Sequence, residues 1–446
     1  MTLRPLLFSS CLALAAAISG PSGVSVAGAT GPAIGYAAPT PADAADAANA
    51  FGAELHARLA KEPGNVFWSP ASVALALGMA REGARGATAT EMDAVLHVTG
   101  KAPGTLGALA SVQSAGDGKS SPEVRVANRL WADATLPLEP AYVAVTKGRY
   151  GASAQGVDFI RSPEPARAAI NAWVAGETRD RIKDLLPPGS ITSDTRLTLT
   201  NAVYFKGSWE TKFDAKRTAP APFHLDDKRT RDVPMMHVDA RARWGATPEA
   251  DVFELRYQRP KDQPGASMIV VLPKTATGLS AVDDAVARAG FAPFVSALAG
   301  GGHADVALPK FKMTRSFELA QPLAAMGMKS GFSPSADFSG ISKNASLAIS
   351  RVIHKAFVEV DEQGTEAAAA TAVVMETTAV MVRPSFVVDR PFLFLTATRR
   401  PARSCSRGAW STPPRESTRL GACPSSKTAR ARCSRRCCPC AAASAS

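Results

Sequence analysis

Apolar residues recur at helical spacing in the first half of the chain and at alternate positions, or in unbroken β-branched runs, in the second. In TPADAADAANAFGAELHARLAKE, Phe51, Leu55 and Leu59 share a face, Thr40 is a capping residue and Pro41 suits a first turn. In NVFWSPASVALALGMAREGARGATATEM, Ser69 and Pro70 give a cap and a preset first turn, Val73 to Met79 form a buried helix, and Gly83 and Gly86 end it. PARAAINAWVAGETRDRIKDLLPPG predicts another helix, closed by Pro187, Pro188 and Gly189. RLTLTNAVYFKG, SMIVVLP and RVIHKAFVEVDE are rich in β-branched and aromatic residues and predict strands. Helices lead, strands follow and nothing repeats, which predicts an α+β fold.

The stretch DEQGTEAAAATAVVMETTAV, Asp361 to Val380, supports two readings. Ala367, Ala368, Ala369 and Ala370 are strong helix formers, so one reading is an exposed alanine-rich helix. The other has a period of two, with Thr365, Ala367, Ala369, Thr371, Val373 and Met375 on one face and both charges, Glu366 and Glu376, on the opposite one. The uncharged face could enter a sheet without burying an unpaired charge, alanines lose almost no side-chain entropy on ordering, and Gly364 supplies a pivot. On the residues alone, both readings stand.

Composition changes the picture at the two ends. Residues 1–29 have the shape of a secretory leader: Arg4, an apolar run from Leu6 to Ile18, and the small-residue triplet Ala27-Gly28-Ala29. Ser9, Ser10, Ser19 and Gly20 interrupt the run, which argues against a membrane anchor, and the residues before Cys11 fit a lipoprotein signal poorly. Residues 30–41 read as a disordered spacer, and export to the extracellular space or periplasm is expected. Net charge is +12, but residues 396–446 hold ten Arg, one Lys and one Glu, or +10, which leaves +2 for the rest. Six of the seven cysteines (Cys405, Cys423, Cys433, Cys437, Cys438, Cys440) lie there too, the seventh being Cys11. The body therefore has no disulfide framework, and its charge does not call for a nucleic-acid partner.

Enzyme chemistry finds little support. There is no GxSxG, HExxH or phosphate-binding glycine loop, and His56, His97, His224, His237, His303 and His354 are scattered without ligand spacing, so neither a metal nor a cofactor is expected.

Eight separated segments, NVFWSPASVALALGMAREGARGATATEM, VANRLWAD, TLTNAVYFKGSWETKFD, VPMMHV, VALPKFKM, DFSGIS, VIHKAFVEVDEQGTEAAAAT and VDRPFLFL, resemble the serpins, a family of serine protease inhibitors. The resemblance implies a domain over residues 42–395, with helices around a large central mixed sheet, two smaller sheets and an exposed reactive loop. It favours the strand reading: Glu362, Gln363, Gly364, Thr365, Glu366, Ala367, Ala368, Ala369, Ala370 and Thr371 become a hinge that inserts after cleavage of the loop at Thr378-Ala379, or up to Met381. It assigns Ser69, Ser72, Asn201 and His354 to a cluster holding the central strands, and Trp209, Lys310 and Glu362 to the point of loop entry. On the residues alone, His354 is a satisfied core histidine and Lys310–Glu362 a surface ion pair. The implied function is suicide inhibition of an elastase- or subtilisin-like serine protease by a monomer, through a covalent acyl complex, with no nucleic acid or membrane involved. The alternative is a non-inhibitory member acting as a binding protein or protease substrate.

The resemblance stops after VDRPFLFL, where the family continues with a polar turn and one more apolar strand. Residues 396–446 form neither a paired CxxC site nor an aromatic platform among the arginines. Back-translated with serine as TCN and mostly G or C chosen at the free positions, and read from the third base of Thr396, the same stretch can give RDAATGAVLFAGRVVDP, a polar turn and an apolar strand, so a slip in reading frame is expected at that codon.

Overall fold

The computed structural model describes residues 8–11, 39–112, 114–115, 120–152, 154–261, 265–343, 346–365 and 383–399. The chain runs β1 (Phe8–Cys11), α1 (Pro41–Leu59), β2 (Val66–Trp68), α2 (Pro70–Gly83), α3 (Gly86–Val95), β3 (Ser114–Ala115), β4 (Glu123–Asp133), α4 (Pro140–Tyr150), β5 (Gln155–Val157), α5 (Pro163–Glu177) and β6 (Leu197–Ser208). It continues through β7 (Ala219–His224), β8 (Thr230–Ala246), β9 (Ala250–Arg256), β10 (Gly265–Pro273), α6 (Leu279–Ala289), α7 (Ala292–Ser296), β11 (Gly300–Pro309) and β12 (Phe311–Glu318). It closes with α8 (Ala320–Met326), β13 (Arg351–Val360), β14 (Gly364–Thr365), β15 (Ser385–Val387) and β16 (Phe392–Arg399).

One mixed sheet has the order β12-β13-β14-β6-β4-β3, with β5 beside β4 and β13 also pairing directly with β6. Helices α1 and α2 pack on one side of its lower part, and Leu199 and Val352 face them. Helix α5 covers the other face, where Ile170 and Val174 meet Tyr204, Ile353 and Phe357. Because both faces are covered, β6 is buried at nearly every position and reads as a continuous apolar run. The second sheet runs β15-β11-β8-β9-β10-β16-β1-β2, with β7 on β8. The two smaller sheets expected from the sequence form a single ladder because the 17 residues of β8 pair with β7, β11 and β9 in turn. Phe205, Phe253, Phe311, Val358 and Phe394 fill the space between the sheets.

The predicted caps are in place: the Thr40 hydroxyl accepts from Asp43 N–H and the Ser69 hydroxyl from Ser72 N–H. Thr40 and Pro41 thus belong to α1 and not to the spacer, and Gly86 opens α3 and does not merely end α2. The helix expected through Leu186 stops at Glu177. Its continuation turns away at Arg179 and Asp180, both at positive φ, while the Thr178 hydroxyl takes up the Val174 carbonyl and the Ile182 N–H. Ile182, Leu185 and Leu186 imitate helical spacing, yet they are buried as an irregular strap, held where Asn171 bonds both the N–H and the C=O of Leu186. At the other end the domain outlasts the expected boundary at 395, because Thr396 to Arg399 continue β16 against Met268 to Gly265 of β10. Phe8–Cys11, expected in a leader, forms β1 between β16 and β2.

Candidate functional site

Strands β6 and β13 run parallel, paired from Thr198–Arg351 to Tyr204–Phe357. Above that point they part, and β14 lies between them antiparallel to both, Thr365 opposite Val360 and Gly207, Gly364 opposite Ser208. Gly364 is required there by proximity: a Cβ would run into the Gly207 carbonyl. The Asp361 carboxylate accepts the N–H groups of Gln363 (2.8 Å) and Gly364 (3.1 Å), closing the turn that folds β14 back beside β13.

Midway down the seam, Asn128, Asn201 and His354 face each other across β4, β6 and β13. His354 Nε2 accepts from the Ser69 N–H at 3.2 Å, so its Nδ1 carries the proton and donates to the Asn201 amide oxygen. The Asn201 amide nitrogen donates to the Ser72 carbonyl (3.0 Å), the Ser72 hydroxyl and the Asn128 oxygen, and Asn128 donates to the Ser72 carbonyl at 3.1 Å. All five side chains are buried, and Trp68 meets the imidazole edge-on. Burial pushes the His354 pKa down to about 3, so the ring is neutral. The cluster ties the start of α2 to three strands at once. Asn128 was not singled out from the sequence, although it stands within VANRLWAD and the alternate positions on its side of the strand, Val124, Val126, Leu130 and Ala132, are apolar.

At the top of the seam, Trp209 follows β6 directly and donates its indole N–H to the Asp361 carbonyl at 2.9 Å. Its backbone N–H bonds the Gln363 carbonyl, and that of Phe213 bonds the Glu362 carbonyl. The Glu362 carboxylate accepts from Lys310 Nζ at 2.8 Å and from the Thr218 hydroxyl at 2.9 Å. Burial works against the charged carboxylate, but the bonds from Lys310 and Thr218 outweigh it and hold the pKa below the usual range; the same bond raises that of Lys310. Trp209 stacks on Tyr257 at 4.6 Å, and the Tyr257 hydroxyl bonds the Thr365 hydroxyl at 2.8 Å. Trp209, Lys310 and Glu362 are therefore one assembly with Thr218 and Tyr257, two residues the sequence did not single out.

Of the hinge, Glu362, Gln363, Gly364 and Thr365 are seen as described; Glu366, Ala367, Ala368, Ala369, Ala370, Thr371 and the bond Thr378-Ala379 lie outside the described residues. The chain is next described at Arg383, whose guanidinium bonds Asp239 on β8 while His303 of β11 takes that carboxylate's other oxygen at 3.0 Å. Then β15 adds to β11 in parallel.

Residues 46–412 match the family model described as serpin (serine protease inhibitor). Ipis-1 of Ixodes persulcatus is 40% identical over 353 residues, which cover 76% of this chain and 89% of that protein. The leukocyte elastase inhibitor of Bos taurus is 38% identical over 343 residues, 74% of this chain and 88% of its own. Among solved structures, Serpin48 of the insect Tenebrio molitor superposes with a TM-score of 0.70 at 30% identity, covering 79% of this chain and 93% of that one. With a family model spanning most of its length, full-length relatives and this architecture in agreement, the chain belongs to the serpin family.

Proposed function

We propose that the protein is an exported suicide inhibitor of a serine protease with shallow, elastase- or subtilisin-like specificity pockets, and that Thr378-Ala379 is its bait. The observation that carries this reading is β14: the first residues of the hinge already occupy the seam between β6 and β13, so lengthening that strand needs only further separation of a pair that has begun to part. The protease serine attacks the Thr378 carbonyl, the Ala379 amine leaves, and the acyl ester remains attached to the hinge. The alanines that follow Thr365 add side chains with little entropy to lose and no charge to bury, so sheet extension can outrun deacylation. A small β-branched residue before the bond suits a shallow pocket and not the deep acidic one that selects Arg or Lys. The relatives named leukocyte elastase inhibitors support the target class. Export rests on the leader-like shape of residues 1–29.

Incubation with elastase and subtilisin, followed by denaturing gels and residual-activity assays, tests this. The wild type is expected to leave an SDS-stable adduct. Thr365→Arg should be cleaved without one, because its side chain would replace a buried hydroxyl bonded to Tyr257 with an unpaired cation. Cleavage of the wild type with no adduct would instead indicate a binding protein or simple substrate, in a family whose fold also appears in a thyroxine-binding globulin complexed with thyroxine at TM-score 0.68 and 27% identity. Equal inhibition by both forms would remove insertion from the mechanism.

A further inference from the structure

On β8 and β11, Asp239, His303 and Asp305 alternate with the buried Val238, Ala240, Ala304 and Val306, so all three lie on the outward face of the second sheet. The chain comes onto this face at Arg383. One residue later the Pro384 carbonyl accepts the Asp305 N–H at 3.0 Å, and Ser385 to Val387 then pair with Asp305 to Ala307. Proline confines the residue before it to extended backbone, so Pro384 sets the course of the chain through Arg383. The Arg383 side chain is caught as well. Its guanidinium donates to Oδ2 of Asp239, while Oδ1 of the same carboxylate is bonded to Nδ1 of His303 at 3.0 Å. Asp239 and Asp305 stand directly across from each other in the β8–β11 register, where like charges repel, and the Arg383 cation offsets that repulsion. Three segments of chain thus converge on one carboxylate at the end of the bait loop.

From this we infer that Arg383 is a positioning residue for the inhibition proposed above, on which this inference rests: its clamp on Asp239 fixes the point and direction at which the loop leaves the body, and so speeds capture of Thr378-Ala379 by the protease. Arg383 stands four residues beyond Ala379, and four residues of extended chain span about 14 Å at most. The place of the root therefore limits where the bond can be. A bait held at both ends, by β14 on one side and by the clamp on the other, has less freedom to lose when a protease orders it. The clamp's role ends with acylation. Breaking the bond leaves Arg383 on the Ala379 side of the cut and the hinge on the Thr378 side, so the clamp has no hold on the strand that inserts. Nor does it do much for stability: Arg383 is 40% exposed and Asp239 34%, and an ion pair so open to water contributes little.

The test measures how fast elastase and subtilisin consume the intact chain on denaturing gels, beside the stoichiometry, the moles of chain used per mole of protease inactivated. Arg383→Ala should slow consumption about fivefold and leave stoichiometry and unfolding temperature as in the wild type. Asp239→Ala should slow it equally, because Arg383 is kept but unclamped. An unchanged rate there would show that Arg383 acts by touching the protease, and would overturn the inference. Arg383→Lys should recover most of the rate, since a cation again faces the carboxylate, and His303→Ala, which leaves the ion pair but frees the other oxygen, should fall between. Equal rates for the wild type and Arg383→Ala would overturn the inference, as would a slower rate accompanied by a raised stoichiometry or a lowered unfolding temperature. Consumption requires only that the loop be cut. If the wild type is cut without forming an adduct, the function proposed above fails while the cleavage rates still decide the clamp; if neither protease cuts it, both fail.

Discussion

Midway along the seam between β6 and β13, the polar side chains are neutral and dry; at its top the same two strands are held by an ion pair whose lysine is 44% exposed. The two regions ask different things of the sequence. The central cluster is a closed hydrogen-bond system in which removing any member strands buried donors or acceptors, so its energy is large and its geometry all-or-none. The upper assembly surrounds one carboxylate with a lysine, a hydroxyl and an indole that bonds the neighbouring backbone, and water can replace part of it. The proposed lengthening of β14 into this sheet would be served by that order: a weak closure where β14 enters and a strong one below it.

The sharpest break of this contrast is Asn201→Ala. It strands the His354 Nδ1–H, the Asn128 oxygen and the Ser72 hydroxyl together, inside a site with no exposed edge. The first unfolding transition in urea should lose about 3 kcal/mol, whereas a change at the upper ion pair should cost a fraction of that. Similar losses at both places would mean that the central cluster is wetter than its burial indicates.

How far these two regions were legible in the sequence follows from the range of their contacts. Ser69 and Pro70 announce a helix start because capping is local. Asn201 and His354 are 153 residues apart, and no periodicity relates them; only likeness to known proteins brought them together. Asn128, Thr218 and Tyr257 escaped notice because a single polar residue on a buried strand, or a threonine after a short turn, looks the same whether or not it has a distant partner. The strap after α5 misled for a physical reason: Ile182, Leu185 and Leu186 have helical spacing but bury themselves against α5 and the sheet without helical backbone bonds, because Thr178 and Asn171 satisfy that backbone instead. The pairing of β1 was hidden because Phe8–Cys11 lies inside a stretch with the composition of a leader, and its partners on β16 and β2 are distant in sequence.

Acid should distinguish the regions next. His354 titrates near 3 in the folded protein against 6.5 when exposed. A depressed histidine pKa means that the unfolded chain takes up the proton first, so folding is unpenalised above 6.5 and loses stability as pH falls from 6.5 toward 3, at about 1.4 kcal/mol per unit, or about 2 kcal/mol by pH 5. Urea midpoints measured between pH 7 and pH 5 for the wild type and His354→Gln check this. The wild type should show the steeper decline by about that amount, and identical slopes would place the imidazole in contact with water.

The smallest effect is expected from Lys310→Ala. The depressed Glu362 pKa contributes stability that is present above the ordinary glutamate value and lost as pH falls through the lowered one; the raised Lys310 pKa contributes below the ordinary lysine value and is lost as pH rises through the raised one. Both contributions are complete at neutral pH, yet with the ammonium so exposed they amount to less than about 1 kcal/mol after screening. Stability should therefore barely change, and the difference from wild type should vanish in high salt, because Thr218 still bonds the carboxylate and Trp209 still holds the Asp361 carbonyl. On the proposed insertion mechanism, what should change is the rate of adduct formation with a target protease, since the ion pair stands at the end of β14 and would have to rearrange before the seam could widen below it. Unfolding midpoints at low and high salt, set beside the second-order rate of adduct formation, separate the two. A large salt-independent loss of stability would show the pair to be a structural element of the sheet, and an unaltered rate would show that widening begins elsewhere along β6 and β13.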